Sequence, residues 1–537
     1  MNHGFAAGRR YFLQQAGKAA SLLLPAGLVT AASKGEVSVA SSKLSNKNYP
    51  FSLGVASGCP RQDSVVLWTR ILPDPLQASS SGVLALNVRW EVANDEGFTQ
   101  IVKQGKADAV PQLAHSVHVE VTGLQPERWY WYRFMLGDAI SPIGRTRTAP
   151  APASMPAHLK IAAASCQHWE FGSYCAHQHI ANAQPDLVAF LGDYIYEWGP
   201  YALQHPKVAQ RSDECFDLAQ YRARYAQYKS DPQLQAAHLA APWLMTWDDH
   251  EVANDYANLV DERLDRNFAA RRAAAYQAYY EHMPLPPSVL MGQQFTQMRI
   301  FGRYDWGRLA RFYVLDDRQF RATEACPKPG QGGSNSVTSA CRERLDPKRS
   351  ILGTVQEAWL KEELTSSKAN WNIVLQQTLM AQNSQVPAFG AEEGRFWTDG
   401  WDGYPHARAR LLRDIAASGV KNPIVLSGDV HTFYASELVQ DFHQAVSKNN
   451  PIIATEFCGT SITSTSRPQA RTERYMQDNP HTKFGRSDLR GFMLLDITPQ
   501  QTTNTFVAME DVTRSDSLAK NLARFVLEDG KIGVHKA

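Results

Sequence analysis

No block of lysine and arginine stands out in this sequence. Its 55 basic and 53 acidic residues leave a formal net charge of only +2, which excludes a surface built to coat DNA or RNA and leaves no evident nucleic-acid partner. After the first thirty-odd residues no apolar run approaches the roughly twenty residues that a membrane-spanning helix requires, so no transmembrane anchor is expected in the mature protein. No internal repeat of fixed period argues for a solenoid. The familiar hydrolase signatures are missing too. There is no G-x-S-x-G for a serine hydrolase and no G-x-x-x-x-G-K-[ST] for a P-loop enzyme, and "HEVAN" at His250 lacks the second histidine of a zinc protease. Cysteine is sparse and odd in number, seven in 537 residues, so at least one must stay unpaired.

What is present describes a globular protein, 44% hydrophobic and 20% charged, able to bury a large core. At roughly 100 to 200 residues per domain, its length asks for two or more domains. The N-terminus is read apart from the fold. "GRRYFLQQAGKAASLLLPAGLVTAAS" has a basic start, a short apolar middle and small residues after it, and Arg9 and Arg10 precede Tyr11, Phe12 and Leu13. This is the pattern of a twin-arginine export signal with its spacer over residues 1–46. It predicts engagement of the twin-arginine machinery and a periplasmic or extracellular location. In such a compartment disulfides persist, and Cys326 and Cys341, which bracket the Gly/Ser-rich "CPKPGQGGSNSVTSAC", are the pair expected to join. The pairing of Cys59, Cys175, Cys215 and Cys458 is left open.

Residues 47–148 read as short strands, "SVVLWTRI", "ALNVRWEVA", "HSVHVEVTGL" and "RWYWYRFML", with almost no helical periodicity. They predict a small β-sandwich. "VTGLQPERWYWYRF" has the strand-corner-strand form of fibronectin type III domains. A Pro/Ala-rich linker follows at 149–158. From 159 to 537 apolar strands alternate with helical segments such as "DLAQYRARYAQYKS" and "FAARRAAAYQAYYEHM", the grammar of an α/β domain with helices outside one sheet or a pair of sheets.

Four apolar runs of this second domain end on potential ligands. "LKIAAASCQ" delivers Cys166, "DLVAFLGDYIY" delivers Asp193 and Tyr196, "PWLMTWDDHE" delivers Asp248, Asp249 and His250, and "PIVLSGDVH" delivers Asp429 and His431. Singly, each has an ordinary reading: a buried Cys belongs to a core, an Asp after a strand caps a helix, a His completes a hydrogen-bond network. Together they point to a metal centre at the carboxyl ends of strands, where α/β proteins place ligands. A phenol with an ordinary pKa near 10 becomes a ligand at neutral pH only beside a strongly polarising cation such as Fe³⁺. Thiolate, phenolate and imidazole from Cys166, Tyr196 and His431 suit that ion. Asp249 and Asp429 offer hard oxygens suited to Ca²⁺, or to Mg²⁺ or Mn²⁺ in its place. Asp193 is set to bridge the two.

"GDYIYE", "WDDHEVANDY" and "SGDVH", preceded by "ASC" and by "FSLGVASGCPRQDSVVLWTR", closely resemble the PhoD-like alkaline phosphatase family, a branch related to purple acid phosphatases. The likeness runs over nearly all of the expected mature chain. It implies a four-layer α/β/β/α metallophosphatase domain behind the sandwich domain, an iron and calcium site, and hydrolysis of phosphate esters. By the same resemblance Cys166, Asp193, Tyr196 and His431 become iron ligands, Asp249 and Asp429 calcium-side ligands, and His250 faces the phosphate as the catalytic residue. Cys59 departs from the family's acidic residue in "VASGDP". "VLDDRQFR", with Asp316, Asp317 and Arg318, and "DGWDGYPHAR", with Asp402 and His406, resemble family segments near the site and read equally as salt-bridged loops.

The expected chemistry is attack on phosphorus by a metal-activated hydroxide, with cations about 3.5–4 Å apart stabilising the phosphoryl oxygens and no protein nucleophile. The substrates expected are phosphomonoesters and some diesters. The rival readings are a phospholipase D-type phosphodiesterase on the same metal core and a secreted binding protein whose metals are structural.

Overall fold

A computed structural model describes residues 49–74, 84–200, 213–291, 295–390 and 393–537. The export signal read at residues 1–46 lies outside the described residues.

Two sheets carry the molecule. From one edge to the other, the larger runs Ala519–Glu528, Gln501–Met509, Gly491–Ile497, Leu159–Ala164, Leu187–Leu191, Trp243–Thr246, Val55–Gly58, Ser64–Arg70 and Ser116–Thr122. The smaller runs Gly302–Trp306, Ala310–Val314, Trp371–Leu375, Pro423–Ser427, Ile452–Cys458, Phe433–Val439 and Thr482–Arg486. The central strands of each are parallel. They are apolar at nearly every position because both faces are covered. In Leu187–Leu191, alternation sends Leu187, Ala189 and Leu191 into the layer between the sheets, where Ile373, Leu375, Ile424 and Leu426 meet them. Val188 and Phe190 point the other way, into a helical layer rich in tyrosine. In the smaller sheet Val374 and Val425 likewise face Leu360, Leu364, Leu411 and Leu412. The order is therefore helices, sheet, sheet, helices, the α/β/β/α architecture expected.

The helices start where side chains satisfy free amides. Asp217 and Gln220 form a reciprocal capping box at the start of Leu218–Lys229, and Asp231 caps Pro232–Ala240, which opens on a proline. Phe268–His282 completes this layer, and Gly353–Thr365 and Pro405–Ser418 cover the smaller sheet.

The four strand segments singled out before residue 148 form Ser64–Arg70, Leu86–Ala93, Ser116–Thr122 and Trp129–Leu136. Val65, Leu67, Val88, Val92, Tyr130, Tyr132 and Phe134 fill the space between two layers of strands. The Tyr130 hydroxyl accepts the Gln125 amide at 2.9 Å, closing the corner that "VTGLQPERWYWYRF" predicts. One layer of this sandwich extends the larger sheet: Gly58 pairs in parallel with Trp243, and the Cys59 amide donates to the Trp243 carbonyl at 3.0 Å. Cys59 is buried at this seam and accepts a hydrogen bond from the Tyr304 hydroxyl at 3.3 Å. Cys326 and Cys341 are joined as a disulfide with Cα atoms 6.1 Å apart, and the other five cysteines are free and buried.

Candidate active site

Three neighbouring strands of the larger sheet, Leu159–Ala164, Leu187–Leu191 and Trp243–Thr246, end side by side, and Pro423–Ser427 of the smaller sheet ends against them. Just beyond these ends the backbone changes character. Cys166, Asp193, Asp429 and His431 all have left-handed backbones, with φ of +60°, +56°, +61° and +52°. This conformation disfavours residues other than glycine and, when it clusters, marks functional sites. The turn before Asp193 needs a true glycine: a Cβ on Gly192, at φ +100°, would lie 2.5 Å from the Asp248 Cβ. Adjoining turns are stitched together. The Cys166 amide donates to the Gly192 carbonyl at 3.1 Å and the Gln167 amide to that of Asp193 at 3.0 Å.

Donor atoms of Cys166, Asp193 and His431 lie within 4.8 Å of one another, as do those of Asp193, Asp249 and His250. Asp193 belongs to both groups. The Tyr196 hydroxyl enters the first: it donates to Asp193 Oδ2 at 2.7 Å, lies 3.2 Å from His431 Nε2, and accepts the Ser464 hydroxyl at 2.7 Å. Asp193 Oδ1 is buried with no hydrogen-bond partner, a costly condition that a cation would relieve. Cys166, Asp193, Tyr196, Asp249 and His250 form a buried floor, whereas Asp429 and His431 are half-buried at its lip.

The electrostatics favour a cation as well. Burial and the Asp193 charge push the Cys166 thiol and the Tyr196 phenol well above their usual ranges. Asp429 is pushed up by desolvation and by Asp399, Asp249 and Asp193, against the pull of Arg318. Burial works against a charged His250, yet Asp249 and Glu197 outweigh it and raise its pKa. Lone carboxylates, thiol and phenol in this density repel as anions, and multivalent cations neutralise them. The first group combines thiol, carboxylate, phenol and imidazole donors, the second two carboxylates and the His250 imidazole, and Asp429 lies outside both groups of mutually close donors.

Several residues that sequence reasoning did not single out hold this floor in place. Glu197 Oε2 lies 2.7 Å from His250 Nδ1, and its other oxygen accepts the Asn254 amide at 2.7 Å. Glu251 accepts the amides of Asp193 (3.1 Å), Asp248 (2.7 Å) and Tyr194, tying two strand ends through one carboxylate. Arg318, left between two readings on sequence, is fully buried. It bonds Asp248, forks onto Asp399 at 2.6 and 3.0 Å, and lies 3.8 Å from Asp249. Asp316 is structural here, accepting Trp247 Nε1 at 3.0 Å and the Gln319 amide at 3.0 Å. Asp402 pairs with Arg408 at 2.7 Å. The spacing from Glu197 to Asp193 was the one available signal, an acid four residues beyond a candidate ligand in the same turn.

A cleft of about 460 Å³ opens beside Asp429 and His431, with Asn383, Trp397, Trp401, Arg467, Arg471 and Tyr475 in its walls. The arrangement has room for a charged group over a row of side chains that could hold cations, and for a substituent beside it.

Residues 161–506 match the family model described as PhoD-like phosphatase, and residues 37–150 match that of the PhoD-like phosphatase N-terminal domain. The chain is 44% identical to alkaline phosphatase D of Bacillus subtilis (strain 168), over 98% of this chain and 89% of that protein. Its fold superposes on a solved structure of PhoD with a TM-score of 0.86 and 43% identity, covering 91% of this chain and 92% of the other.

Proposed function

From its membership of the PhoD-like phosphatase family, to which this chain belongs and which makes it a phosphoric ester hydrolase, we propose that it is an exported, metal-dependent phosphoesterase acting on phosphomonoesters and phosphodiesters. The observation that carries the reading is Asp193. It sits between two donor groups, shared by both, with one buried oxygen left without a partner.

In this reading Cys166, Asp193, Tyr196 and His431 hold Fe³⁺, and Asp249 and Asp429, with Asp193, hold Ca²⁺ or, in its place, Mn²⁺ or Mg²⁺. Bound there, such ions supply charge stabilisation for the phosphoryl oxygens and lower the pKa of water. The chain's own work is placement. Glu251 fixes the Asp193 turn against the Asp248 turn by accepting amides from both. Arg318 gathers Asp248 and Asp399 and keeps a positive charge beside Asp249. Glu197 takes one imidazole nitrogen of His250, so the other is free to donate to an equatorial phosphoryl oxygen, where charge builds in the transition state. No serine or cysteine nucleophile is needed.

Export in the folded state follows from the twin-arginine pattern at Arg9 and Arg10, and would let iron be loaded before crossing. The test is a panel of monoesters and diesters at neutral to alkaline pH, with a calcium chelator and then added Ca²⁺. Turnover that chelation removes and Ca²⁺ restores is the expected result. Undiminished turnover after complete metal removal would overturn the reading.

A further inference from the structure

Arg467, Arg471 and Tyr475 recur every fourth residue, the spacing that stacks side chains along one helical face. Arg471 and Tyr475 lie on the helix Gln469–Asp478, and Arg467 directly precedes its N-cap. All three side chains line the cleft that begins at Asp429 and His431. Neither guanidinium makes an ion pair or hydrogen bond with any described residue; that of Arg467, half-buried, lies over the Tyr475 ring 5.4 Å from its centroid, and Arg471 is exposed to solvent. The arginines packed around the site behave differently. Arg318, Arg321 and Arg408 are each committed to carboxylates. The acids in the same walls are already employed: Asp402 is held by Arg408 at 2.7 Å and by the Asn383 amide at 2.8 Å, and Asp429 is one of the ligands of the proposed metal site. The walls also carry a half-exposed indole, Trp397. An arginine pair kept unpaired beside a phosphoester site presents its planar forks to a second anion.

We propose that this cleft is a leaving-group subsite, in which Arg467 and Arg471 bind a second anionic group, phosphate or carboxylate, carried by the alcohol portion of the substrate. The inference rests on the phosphoesterase reading above and adds to it a substrate class: esters whose leaving group is itself charged. Arg467 and Arg471 are here specificity residues and touch no reacting atom.

The test uses three phosphodiesters that differ only in the end of a three-carbon leaving alcohol, which bears phosphate, carboxylate or hydroxyl. For the full metal-loaded protein, kcat/KM should favour an anionic end over hydroxyl by about tenfold or more at low salt, and the preference should shrink as salt rises. The larger preference identifies which anion the subsite fits. The double variant Arg467→Gln/Arg471→Gln should lose the preference while keeping the hydroxyl-ended rate within about twofold. A parent with no preference, or a variant that loses equally on all three esters, would overturn the proposal. Binding of the phosphate-ended alcohol alone, followed by calorimetry, separates the two readings. If the parent binds it at least about tenfold tighter than the double variant does, yet cleaves none of the esters, the subsite stands and the phosphoesterase reading falls.

Discussion

Leu187–Leu191 and the residues immediately after it obey opposite rules. Along the strand every side chain is apolar, buried and packed against a partner layer. Past Gly192 the chain turns left-handed, and buried polar groups stand close together with too few hydrogen bonds. The contrast recurs at Leu159–Ala164 and Pro423–Ser427. The strands provide stability and the turns spend it. A dry, two-sided core holds turns that would not keep this geometry by themselves, and it does so at three strand ends that converge.

The largest effects should therefore separate cleanly. Asp249→Ala should fold, with a far-ultraviolet circular dichroism spectrum like the parent's, while turnover falls about 1000-fold or more. A variant with near-normal rates on every ester would break the distinction. Phe190→Ala, one residue inside the strand, should do the reverse, costing about 3–5 kcal/mol of stability in a denaturant titration and leaving the rate per folded molecule close to the parent's. Comparable loss of activity in that variant would mean that core and site are not separable.

A smaller effect tests how the turns are held. Glu197→Gln keeps the shape but weakens the grip on His250, and kcat should drop about 10- to 100-fold with little change in KM. A change confined to KM would make Glu197 a binding residue instead.

The smallest effect concerns a buried charge outside the site. Lys229 is fully buried, with its ammonium nitrogen 4.1 Å above the Trp68 ring, and burial lowers its pKa to about 7. Between pH 7 and its ordinary value near 10.5 the unfolded chain holds a proton that the folded chain does not. Stability should thus rise with pH across that window, by up to about 1.4 kcal/mol per pH unit from this group. Lys229→Met should flatten the slope. An unchanged slope would assign it to other groups.

How much of this was legible in the sequence follows from the same contrast. Strand interiors announce themselves by local composition, so "LVAFL", "PWLMT" and "PIVLS" located the strands and the donors after them. Cys166, Asp193, Tyr196 and His431 come together in space as a set. Asp249 joins Asp193 and His250, while Asp429 stands at the lip of the cleft. The supporting contacts are of another kind. Glu197 meets His250 across 53 residues, Ser464 meets Tyr196 across 268, and Arg318 meets Asp399 across 81. Such pairs involve single polar residues with no periodicity, and nothing in local propensity points from one to the other. The seam between Gly58 and Trp243 was hidden for the same reason: a strand's sequence does not say which sheet edge it will extend.

In the proposed function these strand-end turns hold a ferric ion through Tyr196 beside a second cation held by carboxylate oxygens. Elemental analysis of the purified protein, combined with its visible absorption spectrum and that of Tyr196→Phe, tests it most directly. Iron and calcium should be present, with a visible band from phenolate bound to Fe³⁺ that the Tyr196→Phe variant lacks. A colourless protein, fully active with zinc alone, would contradict it.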